Sequence, residues 1–342
     1  MKKRNKILVV LDRSGYKKNE LEYKDILVKE YEEVEFLYTK YEDSLIRKIR
    51  NINIIGNATS HLLRWIKSLG YSLKIIIGKK YDRILCFNPI VGAMLGLFRV
   101  KNVILCGFLF EEKQNKVYLN FRKWIANIVL INVEKVIVYG SKEVEYYSEM
   151  FNQETKFSFI PYGIDFMNQK KYLGKLPLKY GFSGGGSNRD YQTLTAALNQ
   201  NPPLPDDFII ATQTWKLQGC KSDNYGVLSD VTNETFGDVM QKSNYLVLSL
   251  KDSTISAGHM VMLQAMSLGV PIIVNDIPAI RDYIDENGVT FYDSGNVEQL
   301  KEILNNFDHM SNVIIEKTKN AKEAYFSRYT SKGLIKRISE ID

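Results

Sequence analysis

Short runs of aliphatic and β-branched residues recur along the chain, separated by longer stretches whose apolar positions repeat at helical spacing. The first run is Ile7-Leu8-Val9-Val10-Leu11, and the pattern predicts strands at Lys6–Leu11, Val34–Tyr38, Arg83–Phe87, Val103–Phe108, Lys135–Tyr139 and Lys156–Ile160. After Pro161-Tyr162-Gly163-Ile164-Asp165 it restarts, with strands at Tyr180–Phe182, Phe208–Ala211, Val227–Leu228, Tyr245–Leu250 and Pro271–Val274. Strands that alternate with helices predict parallel sheets, because the crossover helix returns the chain to begin the next strand in the same direction. Ser141 is the expected N-cap of the helix after the fifth strand. Ile315–Ile341 reads as one long amphipathic helix containing Gly333. The expectation is two α/β domains, 1–162 and 163–324, joined near 161–170, with 325–342 as a helix packing back on the first.

Composition narrows this. A chain of 342 residues, 45% apolar and with 21 Tyr and 16 Phe, has ample material for two cores, and it has no low-complexity tract. Ile84–Phe98, interrupted by Asn88-Pro89, is the most membrane-like run, and it is shorter than the ~20 residues that span a bilayer. The basic start, Met1 to Lys6, runs into a strand and then Asp12-Arg13 with no small-residue cleavage site, so it reads as a strand rather than a signal. Cys86, Cys106 and Cys220 show no C-x-x-C pairing and read as reduced thiols of a cytosolic protein. With histidine only at 61, 259 and 309, a histidine metal cage or a Ser-His-Asp hydrolase has little to stand on. No D-x-D occurs, which weighs against a metal-held nucleotide diphosphate; no metal or cofactor is expected.

Charge divides the chain. The net +7 resolves into +9 over 1–165, from 28 basic and 19 acidic residues, and −2 over 166–342, from 18 and 20. No acidic residue lies between Asp43 and Asp82, whereas Arg47, Lys48, Arg50, Arg64, Lys67, Lys74, Lys79 and Lys80 do. Leu62, Trp65, Ile66 and Leu69 share one helical face flanked by Arg64 and Lys67, a pattern suited to anionic lipid headgroups with an aromatic anchor. Arg47, Lys48, Arg50, Arg64, Trp65 and Lys67 are the membrane candidates, each cation contributing about 1 kcal/mol near such a surface; Arg122-Lys123-Trp124-Ile125 is a second patch. The competing reading is a core helix with a solvated basic edge. Nucleic acid is disfavoured, since the cations sit among Leu, Ile and Trp with no recognition motif.

Two loops carry candidate chemistry. Ser183-Gly184-Gly185-Gly186-Ser187-Asn188-Arg189 follows a strand and precedes a helix, so the backbone is free to approach an anion and Arg189 adds a forked cation. The competing reading is a surface turn. The second loop ends Ser256-Ala257-Gly258 and opens the helix His259–Leu268, which Gly269 and Pro271 close. Gly258, His259 and Met260 there present unpaired amides at a positive helix end, a seat for a diphosphate, and Gln264, about one and a half turns on, reaches towards a ribose hydroxyl. A solvated Gln264 and a packed or capping His259 are the competing readings. In the first domain Asp12, Asn88, Glu111 and Glu112 follow predicted strands, and Glu111 or Glu112 is a candidate to orient or deprotonate a hydroxyl; the alternative is a surface pair beside Lys113.

Arg189-Asp190-Tyr191-Gln192-Thr193-Leu194 and Ser256 through Ile273 resemble the C-terminal domain of GT-B glycosyltransferases, in particular the retaining family four of bacterial capsular and exopolysaccharide synthesis. The likeness covers roughly 160–290. Ser256 and Gln264 stand where that family has its two glutamates, and Gly184 where its glycine-arginine pair has arginine. The resemblance implies two Rossmann-like domains with parallel sheets facing a central cleft. It implies transfer of a sugar from a nucleotide-diphosphate donor to an oligosaccharide or lipid-linked acceptor in cell-surface polysaccharide assembly. Transfer would be metal-independent and retaining, in the cytoplasm on the inner face of the membrane. Donor contacts would come from Ser183, Gly184, Gly185, Gly186, Tyr225, Val227, Ser256, Gly258, His259, Met260 and Gln264, and Arg189, Asp12, Glu111 and Glu112 would be catalytic. A non-catalytic membrane-anchoring partner, or a nucleotide-sugar epimerase or phosphorylase of the same fold, are the alternatives.

Overall fold

The structure, a computed structural model, describes residues 4–12, 20–39, 53–110, 116–166, 169–200, 204, 206–220, 224–231, 234–251 and 254–341. The chain separates into two units, Met1–Ile160 with Ile335–Asp342, and Pro161–Leu334.

The first unit holds a parallel sheet of β1 (Arg4–Leu11), β2 (Tyr31–Tyr38), β3 (Arg83–Cys86), β4 (Val103–Cys106), β5 (Lys135–Val138) and β6 (Phe157–Phe159), in the order β2-β1-β3-β4-β5-β6. Its helices are α1 (Glu20–Leu27), α2 (Asn53–Ile77), α3 (Pro89–Leu97), α4 (Lys116–Asn132) and α5 (Ser141–Phe151). The inner strands read Arg-Ile-Leu-Cys and Val-Ile-Leu-Cys without alternation because both of their faces are covered. On one face, Leu8, Val10, Ile84, Val103, Leu105, Val136 and Val138 pack against Ile75 of α2, Val91 and Leu95 of α3, Val129 of α4 and Tyr147 and Phe151 of α5. Helices α2 and α4 each pack on α3. Gly140, not Ser141, occupies the N-cap of α5: its backbone is extended, at φ −130° and ψ 138°, whereas Ser141 is already the first helical residue, and the Glu143 carboxylate accepts from the amides of Tyr139 and Gly140, at 3.1 and 2.9 Å.

The second unit holds β7 (Tyr180–Gly184), β8 (Asp207–Ala211), β9 (Gly226–Leu228), β10 (Tyr245–Leu248), β11 (Ile272–Asp276) and β12 (Thr290–Asp293), all parallel, ordered β12-β11-β10-β7-β8-β9. Its helices are α6 (Tyr191–Leu198), α7 (Phe236–Gln241), α8 (His259–Leu268), α9 (Pro278–Arg281), α10 (Val297–Asn306) and α11 (Asn312–Arg328). Met262, Leu263 and Met266 of α8, Met240 of α7 and Tyr325 of α11 cover one face of the sheet. Leu194 and Leu198 of α6 and Leu300 and Leu304 of α10 cover the other. The expected single helix over 315–341 is two, α11 and α12 (Ser331–Ser339). The break falls at Tyr329, whose ring is buried and whose hydroxyl donates to the Tyr283 carbonyl at 2.6 Å.

Candidate functional site

In each sheet the first strand has neighbours reached by chain excursions in opposite directions, and in such doubly wound sheets ligands bind beyond the carboxyl ends of the strands at this switch point. In the second unit the switch lies between β7 and β10, so the loops that leave these two strands are the ones expected to carry the site.

They are joined to each other. Arg189 and Leu250 form an antiparallel bridge, the Asp190 amide donates to the Ser249 carbonyl at 3.0 Å, and the Lys251 amide to the Asn188 carbonyl at 3.1 Å. This draws Arg189 inward. Its Nε donates to the Gly184 carbonyl at 2.9 Å and its Nη1 to the Ser187 carbonyl at 2.8 Å. Gly185, at φ +105°, lies under the guanidinium: a Cβ there would sit 2.5 Å from Nη2, so position 185 requires both the backbone freedom and the small volume of glycine. Arg189 is only 8% exposed and makes no ion pair among the described residues. Burial lowers its pKa from the ordinary value. A buried cation held only by carbonyl dipoles is a strong seat for an anion.

Next to it starts α8. Gly258 caps it at φ +82° with no side-chain cap, and the amides of Gly258, His259 and Met260 have no backbone acceptor among the described residues. Gln264 is 8% exposed, and its side chain has no hydrogen-bond partner among the described residues. Four residues beyond the exposed Met260, it lies on the same helix face with its side chain tilted towards the N-terminal end. Ser256 is half-buried ahead of Gly258. Asp190 is spent as the cap of α6, accepting from the Thr193 amide at 3.1 Å.

Some of the expected residues are not gathered here. The His259 ring is turned into the core, stacked on Tyr283 at 4.4 Å with Nε2 3.0 Å from the Ala279 carbonyl, so only its amide faces the helix end. Tyr225 precedes β9, whose far residue Leu228 is the one level with Ala211. It therefore stands at the opposite end of that strand from the glycine loop, and with Asp206, Asp207 and half-exposed Val227 lines a cavity of about 570 Å³. A second cavity, of about 590 Å³, lies by the start of β7 with Lys171, Tyr172 and Lys242. Neither includes the Gly184–Arg189 loop. Ser183 pairs in register with Ile210 in the core shared with α6, and its hydroxyl is buried without a hydrogen-bond partner.

Sequence reading missed Lys216. It follows β8 on the short turn Thr214–Leu217, and its ammonium reaches the Gly186 carbonyl. Nothing local in Thr-Trp-Lys-Leu marks it, because the contact depends on the β7–β8 register.

In the first unit the switch lies between β1 and β3, and Asp12 and Asn88 follow those strands. Asn88 is fully buried. Its Oδ1 caps α3 through the amides of Ile90 and Val91, both at 3.0 Å, while Nδ2 donates to Thr39 Oγ1 at 2.8 Å and to Asp12 Oδ1 at 3.2 Å. Asn88 is thus a structural cap that fixes the Asp12 carboxylate at the strand ends. Glu111, Glu112, Arg47, Lys48 and Arg50 lie outside the described residues. Arg64 and Lys67 are half-buried, and Trp65 is exposed. No described helix is long and apolar enough to cross a membrane, and no group of three or more His, Cys, Asp or Glu able to hold a metal occurs among the described residues.

Burial pulls the His259 pKa down to about 4, the bond to Ala279 only partly offsetting it. The unfolded chain takes up this proton near pH 6.5 and the folded one does not until about 4, so stability falls as pH drops through that window and is flat above it. The expected loss is at most about 3 kcal/mol. Melting curves between pH 7 and 4 should show the slope in the wild type and a shallower one in His259→Gln; equal slopes would contradict it.

No protein-family model and no curated protein matches the chain. Solved structures do. Sucrose-phosphate synthase from Thermosynechococcus elongatus superposes with a TM-score of 0.66 at 13% identity over 98% of both chains. Anabaena HepE, in complex with UDP-glucose, gives 0.65 at 14% identity over 98% of both chains. WaaG, a glycosyltransferase involved in lipopolysaccharide biosynthesis, gives 0.55 at 14% over 98% of both. Two doubly wound parallel sheets in a chain that aligns end to end with these structures make its fold the GT-B fold.

Proposed function

We propose that the chain is a glycosyltransferase that moves a sugar from a nucleoside-diphosphate donor to an acceptor. The observation that carries this reading is Arg189, buried with no carboxylate partner among the described residues, beside amides of α8 that have no acceptor among them, and at the switch point between β7 and β10. A diphosphate satisfies all of these groups at once. When the bond to the sugar breaks, negative charge grows on the leaving diphosphate, and fixed donors already aimed at it lower the barrier without reorganising. In this reading the charge is met by Arg189 and the helix end, with no metal, and the sugar keeps its anomeric configuration. Gln264 supplies an uncharged contact to the ribose. The UDP-glucose complex of HepE supports the donor class. Asp12, held by Asn88, is the acceptor-side carboxylate. Calorimetry with UDP- and GDP-sugars tests the site: binding of at least one is expected, and no binding of any would overturn it.

The acceptor we propose is lipid-linked, in cell-surface polysaccharide assembly, with the first unit resting on the inner face of the membrane. The support is an inverted burial pattern. Helix α2 buries Ser68 and Ser72, whose hydroxyls donate to the carbonyls of Arg64 and Ser68, while Leu62, Ile66, Ile76 and Ile77 stay exposed. Helix α4 exposes Val117, Tyr118, Phe121 and Trp124, the last at 60%, beside Lys116 and Lys123. Neither helix contains an acidic residue. Water-facing helices show the reverse arrangement; interfacial ones show this. The chain should float with vesicles containing anionic lipid at low salt and release at high salt, with Phe121→Ala/Trp124→Ala floating less. Failure of the wild type to float at low salt would remove the membrane from the proposal and leave the donor site standing.

A further inference from the structure

We propose that Lys216 is a second phosphate-binding cation of the donor site, tied to the Gly186 carbonyl until a diphosphate draws it away. This rests on the nucleoside-diphosphate reading given above.

The loop after β7 has an unusual distribution of hydrogen bonds. Four successive carbonyls are occupied: Gly184 and Ser187 by Arg189, Gly185 by the hydroxyls of Tyr191 and Thr212 at 2.6 and 3.0 Å, and Gly186 by Lys216. The Gly185 amide donates to Ala211, and the amides of Gly186 and Ser187 have no acceptor among the described residues. The segment is thus tied by its carbonyls to donors, while two amides are left for an outside acceptor. Two cations and two free amides converge on it, and neither cation makes an ion pair among the described residues. Tied carbonyls, open amides and unneutralised positive charge together make an anion seat larger than one phosphate oxygen.

The two cations are not equivalent. Arg189 is buried and gripped by two carbonyls, so its position is fixed. Lys216 is only half-buried, and its ammonium has four rotatable bonds between it and the backbone. A bond to a neutral carbonyl is weaker than one to a phosphate oxygen, so an arriving diphosphate gains the ammonium at the cost of a single carbonyl contact. The ammonium also lies 4.8 Å from the centre of the Trp215 ring, which is 62% exposed and donates its indole N–H to Gln213 at 2.7 Å. Movement of Lys216 off that ring changes the field on the indole, which gives the transfer its own signal.

The experiment uses the full chain carrying Trp65→Phe and Trp124→Phe, so that emission comes from Trp215 alone. Uridine, UMP, UDP and inorganic pyrophosphate are titrated into it and into its Lys216→Ala and Lys216→Arg forms. UDP and pyrophosphate should change the emission of the lysine form, uridine should not, and the alanine form should show no change. Calorimetry should give a loss of about tenfold in UDP affinity for Lys216→Ala, with uridine affinity unaltered and most of the loss restored by arginine. If UDP binds the alanine form as tightly as the lysine form, Lys216 is no ligand and the proposal fails while the donor site stands. An equal loss for uridine and UDP would assign Lys216 to loop structure and overturn the proposal as well. If no nucleotide or pyrophosphate binds the parent chain, the nucleoside-diphosphate reading itself fails and this one with it.

Discussion

Replacing Arg189 by alanine should weaken nucleoside-diphosphate binding by about 100-fold or more, roughly 3 kcal/mol, which is the scale of two charge-assisted hydrogen bonds in a desolvated site. The same change should cost little stability. In the wild type the guanidinium is buried with no carboxylate partner among the described residues, so the protein bears the desolvation of a cation for the sake of its ligand. Removing it sheds that burden, which offsets the loss of a donor by the Gly184 carbonyl at the buried end of β7 and by the Ser187 carbonyl on the exposed part of the loop. Arg189→Lys keeps the charge and loses the fork, and should fall between the two. Calorimetry with UDP-sugars reads the affinity and Trp215 emission during denaturation reads the second unit. Unchanged affinity in Arg189→Ala would place the diphosphate elsewhere; a collapse of stability would make Arg189 a structural residue.

A comparable effect of the opposite kind is expected in the first unit from Tyr147→Ala. This ring is fully buried and stands at the centre of an aromatic cluster, with Phe108 at 5.0 Å edge-on and Phe157 at 5.5 Å, and its hydroxyl accepts from the Phe110 amide at 3.1 Å. Truncation leaves a cavity in the core and an unpaired amide, and should cost about 4 kcal/mol. Tyr147→Phe keeps the ring, removes the acceptor of the Phe110 amide, and should cost about 1–2 kcal/mol. Because Trp65 and Trp124 lie in the first unit and Trp215 in the second, urea melts followed on each set of tryptophans separate the units. Tyr147→Ala should shift the first transition and leave donor binding in place. A shift below about 1 kcal/mol would mean that the site collapses without penalty.

Legibility in the sequence followed how local each cause is. Val103–Cys106 and Tyr245–Leu248 are visible as strands because a strand buried on both faces has to be a continuous apolar run. Thr290–Asp293 was not foreseen: at the sheet edge its burial falls mainly on Tyr292, and one buried residue leaves no pattern. The glycine loop and the start of α8 are visible because their composition reports backbone needs, φ +105° at Gly185 and +82° at Gly258. What is absent from the sequence is pairing. That Arg189 meets carbonyls in place of a carboxylate among the described residues, that Lys216 reaches Gly186, and that His259 turns inward to Tyr283 depend on the register of strands far apart in the chain. The face that α2 buries is unmarked in the sequence for a related reason. Ser68 and Ser72 satisfy their hydroxyls on the helix's own carbonyls, which lets two serines take the inside beside Ile75 while Leu62, Ile66, Ile76 and Ile77 stay outside.

The division of the chain between its units also fixes an order of events at the ribosome. The first unit contains residues up to Ile160 and then Ile335–Asp342, and Arg83, buried on β3, donates through Nη1 to the Ile341 carbonyl at 3.1 Å while Nη2 pairs with Glu134 at 2.6 Å. Its strands are therefore all synthesised about 180 residues before its final piece. At 5–20 residues per second that is an interval of roughly 10–40 s. Throughout it the nascent first unit has all its strands but lacks its last segment, and the whole of the second unit is made in the meantime. The unit begun first is completed last, so the interval in which it is open to chaperones and to misassembly is set by the length of its neighbour and not by its own folding rate.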